Sequence, residues 1–204
     1  EILRCLVGSE MCIRDRSDGR KLRTAHVING VTSITDYCGN AIYENGSLKM
    51  LLNESGYISF PDKKFHFYLK DHQGNIRVVA DKDGYVEETN DYYPFGGLFT
   101  ASRGVQPYKY NGKELDRKNG IDWYDYGARM YDATLGGWTT IDPQSEKLYT
   151  VSPYTYCIND PIKHRDPDGE FPWIAGLIGV ELIILPRLQL IGWKESLGRN
   201  PLLM

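Results

Sequence analysis

Residues 64–96 read KFHFYLKDHQGNIRVVADKDGYVEETNDYYPFG. Lys64-Phe65-His66-Phe67-Tyr68-Leu69 is rich in strand-forming aromatics, and Ile76-Arg77-Val78-Val79-Ala80 is a β-branched run. Between them Asp71-His72-Gln73-Gly74-Asn75 supplies turn residues, and Asp81-Lys82-Asp83-Gly84 does the same ten residues later. Asp, Asn and Gly tolerate the left-handed backbone that tight reversals need. Tyr85-Val86-Glu87-Glu88-Thr89 then returns as a strand. Strand, turn, strand, turn, strand predicts a meander of antiparallel hairpins. Pro94 cannot donate to a central ladder and forces Tyr93 to be extended, so Asp91-Tyr92-Tyr93-Pro94-Phe95-Gly96 predicts a sharp corner packed by aromatics.

Upstream, Asp36-Tyr37-Cys38-Gly39-Asn40 shares the pattern D-x-x-G-N with Asp71–Asn75, 35 residues later. That spacing falls in the range of stacked repeat units. Ala41-Ile42-Tyr43 runs into the turn Glu44-Asn45-Gly46-Ser47. Hairpins of this kind expose sheet edges, so further copies are expected upstream in a longer protein. The opening stretch EILRCLVGSEMCIRDR lacks both this turn rhythm and the apolar run of a signal peptide. Residues 1–16 resemble translated adaptor sequence and are set apart from the fold as foreign. Both ends of the chain read as cut.

Downstream, residues 106–143 read QPYKYNGKELDRKNGIDWYDYGARMYDATLGGWTTIDP. Tyr108-Lys109-Tyr110 predicts a short strand ending at the turn Asn111-Gly112, and Lys113–Arg117 a single helical turn. Ile121–Tyr126 and Arg129–Asp132 predict strands, and Gly136-Gly137-Trp138 closes the block. In residues 149–169 Ser152-Pro153 predicts the start of a short helix through Tyr156. Asn159-Asp160-Pro161 and Asp166-Pro167-Asp168-Gly169 predict turns. Phe171–Trp193 is mostly aliphatic, but Glu181, Pro186 and Arg187 interrupt it, which favours a buried or amphipathic segment, or the opening of a different domain, over a membrane span.

The whole-chain numbers agree with a turn-rich β protein. There are 204 residues, 41% hydrophobic and 25% charged, with 15 Tyr and 21 Gly. A net charge of −3 supplies no field toward nucleic acid or an anionic membrane. Cys5, Cys12, Cys38 and Cys157 have no C-x-x-C spacing and read as small buried residues or free thiols. His26, His66, His72 and His164 show no i, i+4 pairing and read as structural or solvated. No metal, cofactor or nucleotide motif is recognised, and no G-x-S-x-G nucleophile.

Four blocks in order carry a family resemblance: YLKDHQGNIRVVADKDGYV, NDYYPFG, YKYNGKELDRKNGIDWYDYGARMYD and SPYTYCINDPIKHRDPDG. They resemble the Rhs repeat-associated core of Rhs/YD-repeat proteins, and YNGKEL and WYDYGARMYD resemble versions from Bacteroidetes polymorphic toxins. The resemblance runs from Asp36 to Gly169. It implies hairpins of a YD-repeat shell over residues 17–90, the Rhs core over 91–169, and a variable tail or toxin start over 170–204. The fold implied is mainly β, an antiparallel hairpin meander with short helical turns and an apolar C-terminal tail. The partners implied are upstream YD repeats of the same protein, a C-terminal toxin domain enclosed by the shell, and an immunity or secretion protein. The localisation implied is secreted or at the bacterial cell surface, in bacterial competition.

Many members of the family also resemble an aspartyl autoprotease at the core's end. The matching residues here are Asp142 and Asp166, each followed by Pro, with Arg129 in GARMYD. Two carboxylates sharing a site cannot both ionise easily, so one serves as base and the other as acid. The cut is expected just after Glu170. Two departures favour plain turn formation over cleavage: Ser145 stands where the family's first motif has Gly, and Glu170 where its second has Leu. The chain thus reads as a structural shell segment, at most an autoprotease. A second reading, of a different class, is a cell-surface adhesion or carbohydrate-binding module presenting Tyr124, Tyr126 and Trp138.

Overall fold

The structure, a computed structural model, describes residues 2–5, 11–15, 20–101, 104–148, 150–170 and 173–174. The apolar tail beyond Ile174 lies outside the described residues. Eleven strands follow one another: β1 (Ile2–Cys5), β2 (Met11–Asp15), β3 (Lys21–Ile28), β4 (Val31–Cys38), β5 (Ala41–Glu44), β6 (Ser47–Asn53), β7 (Gly56–Ser59), β8 (Lys64–Lys70), β9 (Ile76–Asp81), β10 (Val86–Tyr92) and β11 (Leu98–Ala101). Their order in the sheet is their order in the chain, and every pair is antiparallel. The mainly β meander expected from residues 64–96 is therefore the fold. Side chains alternate between the two faces. In β8 His66 is buried while Phe65 and Phe67 are exposed. The covered face carries Ile42, Met50, Tyr57, Ile76 and Val79, with Tyr37, Leu52, Tyr68 and Tyr108 packed against them.

The residues set apart at the start also contribute strands. β2 pairs with β3, and Met11 and Ile13 are buried against Met130. The alternation Met11-x-Ile13 is the strand signal in this stretch.

One loop geometry recurs four times among the described residues. In residues 71–75, 81–85, 93–97 and 109–113 the first N–H donates to the fifth carbonyl, and the N–H of the fourth residue, a glycine, donates to the first carbonyl. The glycines Gly74, Gly84, Gly96 and Gly112 all have φ between 70° and 85°, a backbone that side-chained residues adopt only under strain. In two loops an aspartate locks the turn. Asp71 Oδ1 accepts from the N–H groups of Gln73 and Asn75, and Asp81 Oδ1 from those of Asp83 and Tyr85. The structural counterpart of the Asp71 loop is thus the Asp81 loop. In the D-x-x-G-N copy at 36–40, Asp36 instead lies within β4 and pairs with Arg23, and Asn40 reaches the carbonyl of Leu52.

A second, four-stranded sheet follows: β12 (Glu114–Asp116), β13 (Trp123–Asp125), β14 (Met130–Asp132) and β15 (Gly137–Trp138). A two-stranded ribbon of β16 (His164–Arg165) and β17 (Trp173–Ile174) ends the described chain. The helical turn expected at Lys113–Arg117 is strand β12. Its residues are good helix formers, but Leu115 is buried and Glu114 is fixed by Lys21 at 2.6 Å and the Tyr37 hydroxyl at 2.8 Å, so tertiary contacts override propensity. The strand expected at Tyr108–Tyr110 is reduced to a bridge at Tyr108 before a 3-10 turn over Tyr110–Gly112. The helix expected from Ser152-Pro153 is absent as well. The Pro153 carbonyl accepts from Asp142 N and Arg129 Nη1 instead of a helical N–H, and a 3-10 turn forms later, at Cys157–Asn159.

The small sheet is pinned to the large one by polar contacts. Besides Glu114, Lys21 meets Asp125 at 2.8 Å, and His26 meets Asp116 at 2.7 Å. Lys109 pairs with the fully buried Glu88, whose other oxygen accepts from Val105 N at 2.7 Å. Between the sheets lies an aromatic cluster of Tyr110, Tyr124, Tyr126, Tyr131, Trp138 and Tyr156. The corner at Pro94 is packed by aromatics as expected. Tyr110, Tyr131 and Tyr124 donate their hydroxyls to the carbonyls of Pro94, Phe95 and Gly96 in turn. The Gly96 carbonyl is buried, and left without a donor it would cost about 1–3 kcal/mol, so tyrosine is favoured over phenylalanine at position 124.

Candidate functional site

The tip between β13 and β14 positions the centre of the site. Asp125 Oδ1 accepts from Gly127 N, and Tyr126 N donates to the carbonyl of Arg129. Arg129 is turned inward by this reversal and is 2% exposed. Its guanidinium lies 4.1 Å from the centre of the Trp138 ring, a cation–π contact that fixes its plane. Its nitrogens then reach three separate segments. Nε donates to the Gly169 carbonyl at 2.5 Å, Nη1 to the Pro153 carbonyl at 3.3 Å, and Nη2 lies 3.1 Å from Asp142 Oδ2 and 3.5 Å from Asp166 Oδ2.

The two aspartates are held alike. Asp142 Oδ1 accepts from Gln144 N at 2.7 Å, and Ser145 N donates to the Asp142 carbonyl at 3.1 Å, so this turn closes without the family's glycine. Asp166 Oδ1 accepts from Gly169 N at 2.7 Å and Asp168 N at 3.2 Å. Gly169 has φ +83, and a β-carbon there would lie 3.0 Å from Arg129 N, so this position needs glycine on both counts. Ala128 N donates to the Asp168 carbonyl and closes the second turn against the Arg129 tip.

In both aspartates one oxygen is spent on the local turn and the other faces Arg129. Asp142, Asp166 and Arg129 are therefore brought together, across separations of 24 and 37 residues. Asp166 is 1% exposed; burial pushes its carboxyl up to about 6, against the lowering effect of the Gly169 and Asp168 N–H groups and Arg129. Burial likewise lowers the Arg129 guanidinium, opposed by Asp142 and Asp166. Beside these groups is a cavity of about 20 Å³ lined by Arg129, Trp138, Asp142, Ser145, Cys157 and Asp166, room for a single water. The arrangement has one carboxyl that burial holds above the usual carboxylate range, a second carboxyl, a fixed cation and space for water.

Several contributors carried no sequence signal of their role. Trp138, which the sequence shows only as the close of its block, also orients Arg129. Cys157, Ile158 and Asn159 all have positive φ, from 48° to 58°, in the wall of the site; consecutive left-handed residues that include a β-branched one store strain. Burial raises the Cys157 thiol to about 12, so it is held neutral. A second network ties the site to the meander. Asn75, held by Asp71, accepts from Asn111 N and Nδ2; Asn111 Oδ1 in turn accepts from the hydroxyls of Tyr126 and Tyr156, each at 2.8 Å. Gln73 Nε2 donates to the carbonyls of Pro161 and Ile162. Of the histidines, His26 and His66 are buried in polar pairs with Asp116 and with Ser59 and Glu87, His72 is exposed, and His164 contacts the Asp160 carbonyl.

No protein-family model matches the chain. It is 34% identical over 116 residues to salivary gland surface protein 1 of Aedes aegypti, a match covering 54% of this chain and 3% of that protein. It is 36% identical over 101 residues to the toxin subunit YenC2 of Yersinia entomophaga, covering 47% of this chain and 10% of that subunit. Among solved structures, the Photorhabdus luminescens Tc holotoxin pore, with its TccC3 component, matches at a TM-score of 0.65 and 21% identity, covering 87% of this chain and 10% of that one. The chain thus spans a tenth or less of each of these. It is similar in sequence to parts of a salivary gland surface protein and of a toxin subunit, and has the fold of part of a Tc toxin chain.

Proposed function

We propose that this chain is the C-terminal core segment of an Rhs-type β shell, with a Bacteroidetes-like Rhs repeat-associated core, and that the shell encloses and presents a variable C-terminal toxin domain. The observation that carries this reading is the architecture: a meander that adds strands strictly in chain order, closed on one face by a small aromatic-cored sheet. Such a wall extends naturally by further hairpins at its first edge, which supports upstream YD repeats as partners. The toxin-subunit likeness supports a toxin domain as the downstream partner and a secreted protein. An immunity or secretion protein is a further partner in this reading. Imaging of the full-length protein is expected to find the meander as one stretch of a closed wall. A detached globular domain outside the wall would sink the proposal.

The same reading gives Asp142, Asp166 and Arg129 an aspartyl self-cleavage that frees the downstream region while it stays packed in the shell. It is supported by the convergence of both carboxylates on Arg129 beside a one-water cavity. The full-length wild type is expected to give two fragments by intact mass, and Asp166→Asn one. A single uncut wild-type chain in a folded shell retires the cleavage. The adhesion alternative loses its platform, because Tyr124, Tyr126 and Trp138 are 1%, 2% and 5% exposed.

A further inference from the structure

We infer that Ser59, His66 and Glu87 form a nucleophilic centre on the meander, one that cleaves esters of small carboxylic acids through an acyl group carried on Ser59. It shares no residue with the Asp142–Asp166 centre and does not depend on self-cleavage.

The three residues come from neighbouring strands. The hairpin of β7 and β8 sets Tyr57 opposite His66 and Ser59 opposite Lys64. Opposed residues share a face, and so do residues two apart, so all four leave the sheet on one side. It is the covered side, where Tyr57 and His66 are buried. Glu87 reaches them from β10 by way of an irregularity. Val86 pairs with Ala80 and Glu88 with Val79, so Glu87 is the extra residue of a bulge. Glu88 and Val79 are buried, and regular alternation would send Glu87 to the far face. The bulge re-aims it toward His66 instead.

His66 Nδ1 lies 2.5 Å from Glu87 Oε2, and His66 Nε2 lies 2.9 Å from Ser59 Oγ. A carboxylate only accepts, so Nδ1 carries the hydrogen, and Nε2 of the neutral ring accepts from the Ser59 hydroxyl. In this order of contacts the imidazole can take the serine proton while the carboxylate fixes its tautomer. Tyr57 fixes the ring plane: the two rings stack with centres 4.3 Å apart and 8° between their planes. That face also favours the imidazolium formed when the proton arrives. His66 is 8% exposed and Ser59 is half-buried, so the base is shielded while the nucleophile stays within reach of solvent. Lys64, across from Ser59, is exposed, and its ammonium is 3.9 Å from Asp62. So loose a pairing leaves the ammonium able to turn toward an oxyanion beside Ser59. No G-x-S-x-G marks this serine because it sits in a β-hairpin and not at a strand-to-helix elbow.

The reaction balances with one water. Ser59 Oγ adds to the ester carbonyl carbon as its proton passes to His66 Nε2. The C–O bond to the alcohol breaks, and His66 returns the proton to the departing oxygen. Water then adds to the acyl carbon, giving a proton to Nε2, and the bond to Ser59 Oγ breaks as that proton reaches Oγ. The products are an alcohol and a carboxylic acid, and the centre is restored. Ser59 and His66 are catalytic residues here; Glu87 and Tyr57 are positioning residues.

The test applies p-nitrophenyl acetate and a fluorophosphonate probe to the full-length protein. The folded wild type is expected to release p-nitrophenolate and to carry the phosphonate on Ser59, located by peptide mass spectrometry. Both signals are expected to vanish in urea and in Ser59→Ala. Glu87→Gln, which keeps the side-chain volume and loses the carboxylate, is expected to slow labelling by about tenfold or more. A folded wild type without an adduct at Ser59 overturns the inference. So does ester cleavage that survives Ser59→Ala. A purely structural Glu87 would lower the urea midpoint and leave the labelling rate of the folded variant unchanged, and that result overturns the inference as well.

Discussion

Asn111 shows how much one residue can hold. Its φ of +50 suits Asn better than most residues, and its side chain joins Asn75 on the meander to the hydroxyls of Tyr126 and Tyr156 in the core. Asn111→Ala leaves buried partners unsatisfied and is expected to cost about 2–4 kcal/mol, read as a fall in the urea midpoint at unchanged slope. Asn111→Asp keeps the acceptor for the two hydroxyls but loses the Nδ2 donor to Asn75 Oδ1 and the Gln73 carbonyl and buries a carboxylate, and is expected to lose at least as much. Asp166 predicts a pH dependence. Its folded value of about 6 lies above the ordinary 3.8. Between these values the unfolded chain has given up the proton that the folded chain keeps, so stability falls as pH rises. The contribution is complete below about pH 4 and lost as pH passes about 6, on the order of 3 kcal/mol for a shift of this size. Denaturation at a series of pH values is expected to show this slope in the wild type and its absence in Asp166→Asn. Self-cleavage, which needs the protonated carboxyl, is expected to slow above about pH 6.

At the scale of the element, the hairpin loops separate geometry from burial. The loops at Asp71 and Asp81 close with the same backbone bonds and the same aspartate acceptor pattern. They differ in what lies beyond. The Asp81 loop is solvated, whereas the Asp71 loop carries buried Gln73 and Asn75 into the core. Asp81→Ala is therefore expected to cost about 1 kcal/mol or less, and Asp71→Ala about 2–3 kcal/mol, because the latter also frees Asn75 from its anchor. Equal losses in chemical denaturation would show that the Asn75 relay carries no stability. β12 teaches the complementary point. Glu114-Leu115-Asp116 is helix-prone by composition, yet one buried Leu and contacts to Lys21, Tyr37 and His26 hold it as a strand.

At the scale of the whole molecule, the meander's far face is apolar. Phe65, Phe67 and Leu69 are 49%, 44% and 54% exposed along one side of β8. Ile58 pairs beside Phe65, and Ala80 and Val78 pair beside Phe67 and Leu69. An apolar strip on a sheet with open edges favours self-association. The chain expressed by itself is expected to run as concentration-dependent oligomers, and Phe65→Thr with Phe67→Thr to shift it toward monomer, by light scattering, without change in its circular dichroism. An unchanged oligomer distribution would place the contact elsewhere, at a strand edge.

Local chemistry determined the meander. Hairpins are built from neighbours in sequence, so alternation and Asp/Asn/Gly turns in residues 36–96 are legible without the fold. The candidate site was legible only as a set, because Asp142, Asp166 and Arg129 came from a family pattern and not from any periodicity. Only the tertiary structure decided that a single guanidinium joins both carboxylates and the Gly169 carbonyl, that Trp138 sets its plane, and that Asn75 and Asn111 tie this centre to the sheet. These contacts link segments tens of residues apart through buried charge and hydrogen bonds. Their energy depends on exclusion from water, a property of the packed molecule that no stretch of sequence possesses alone.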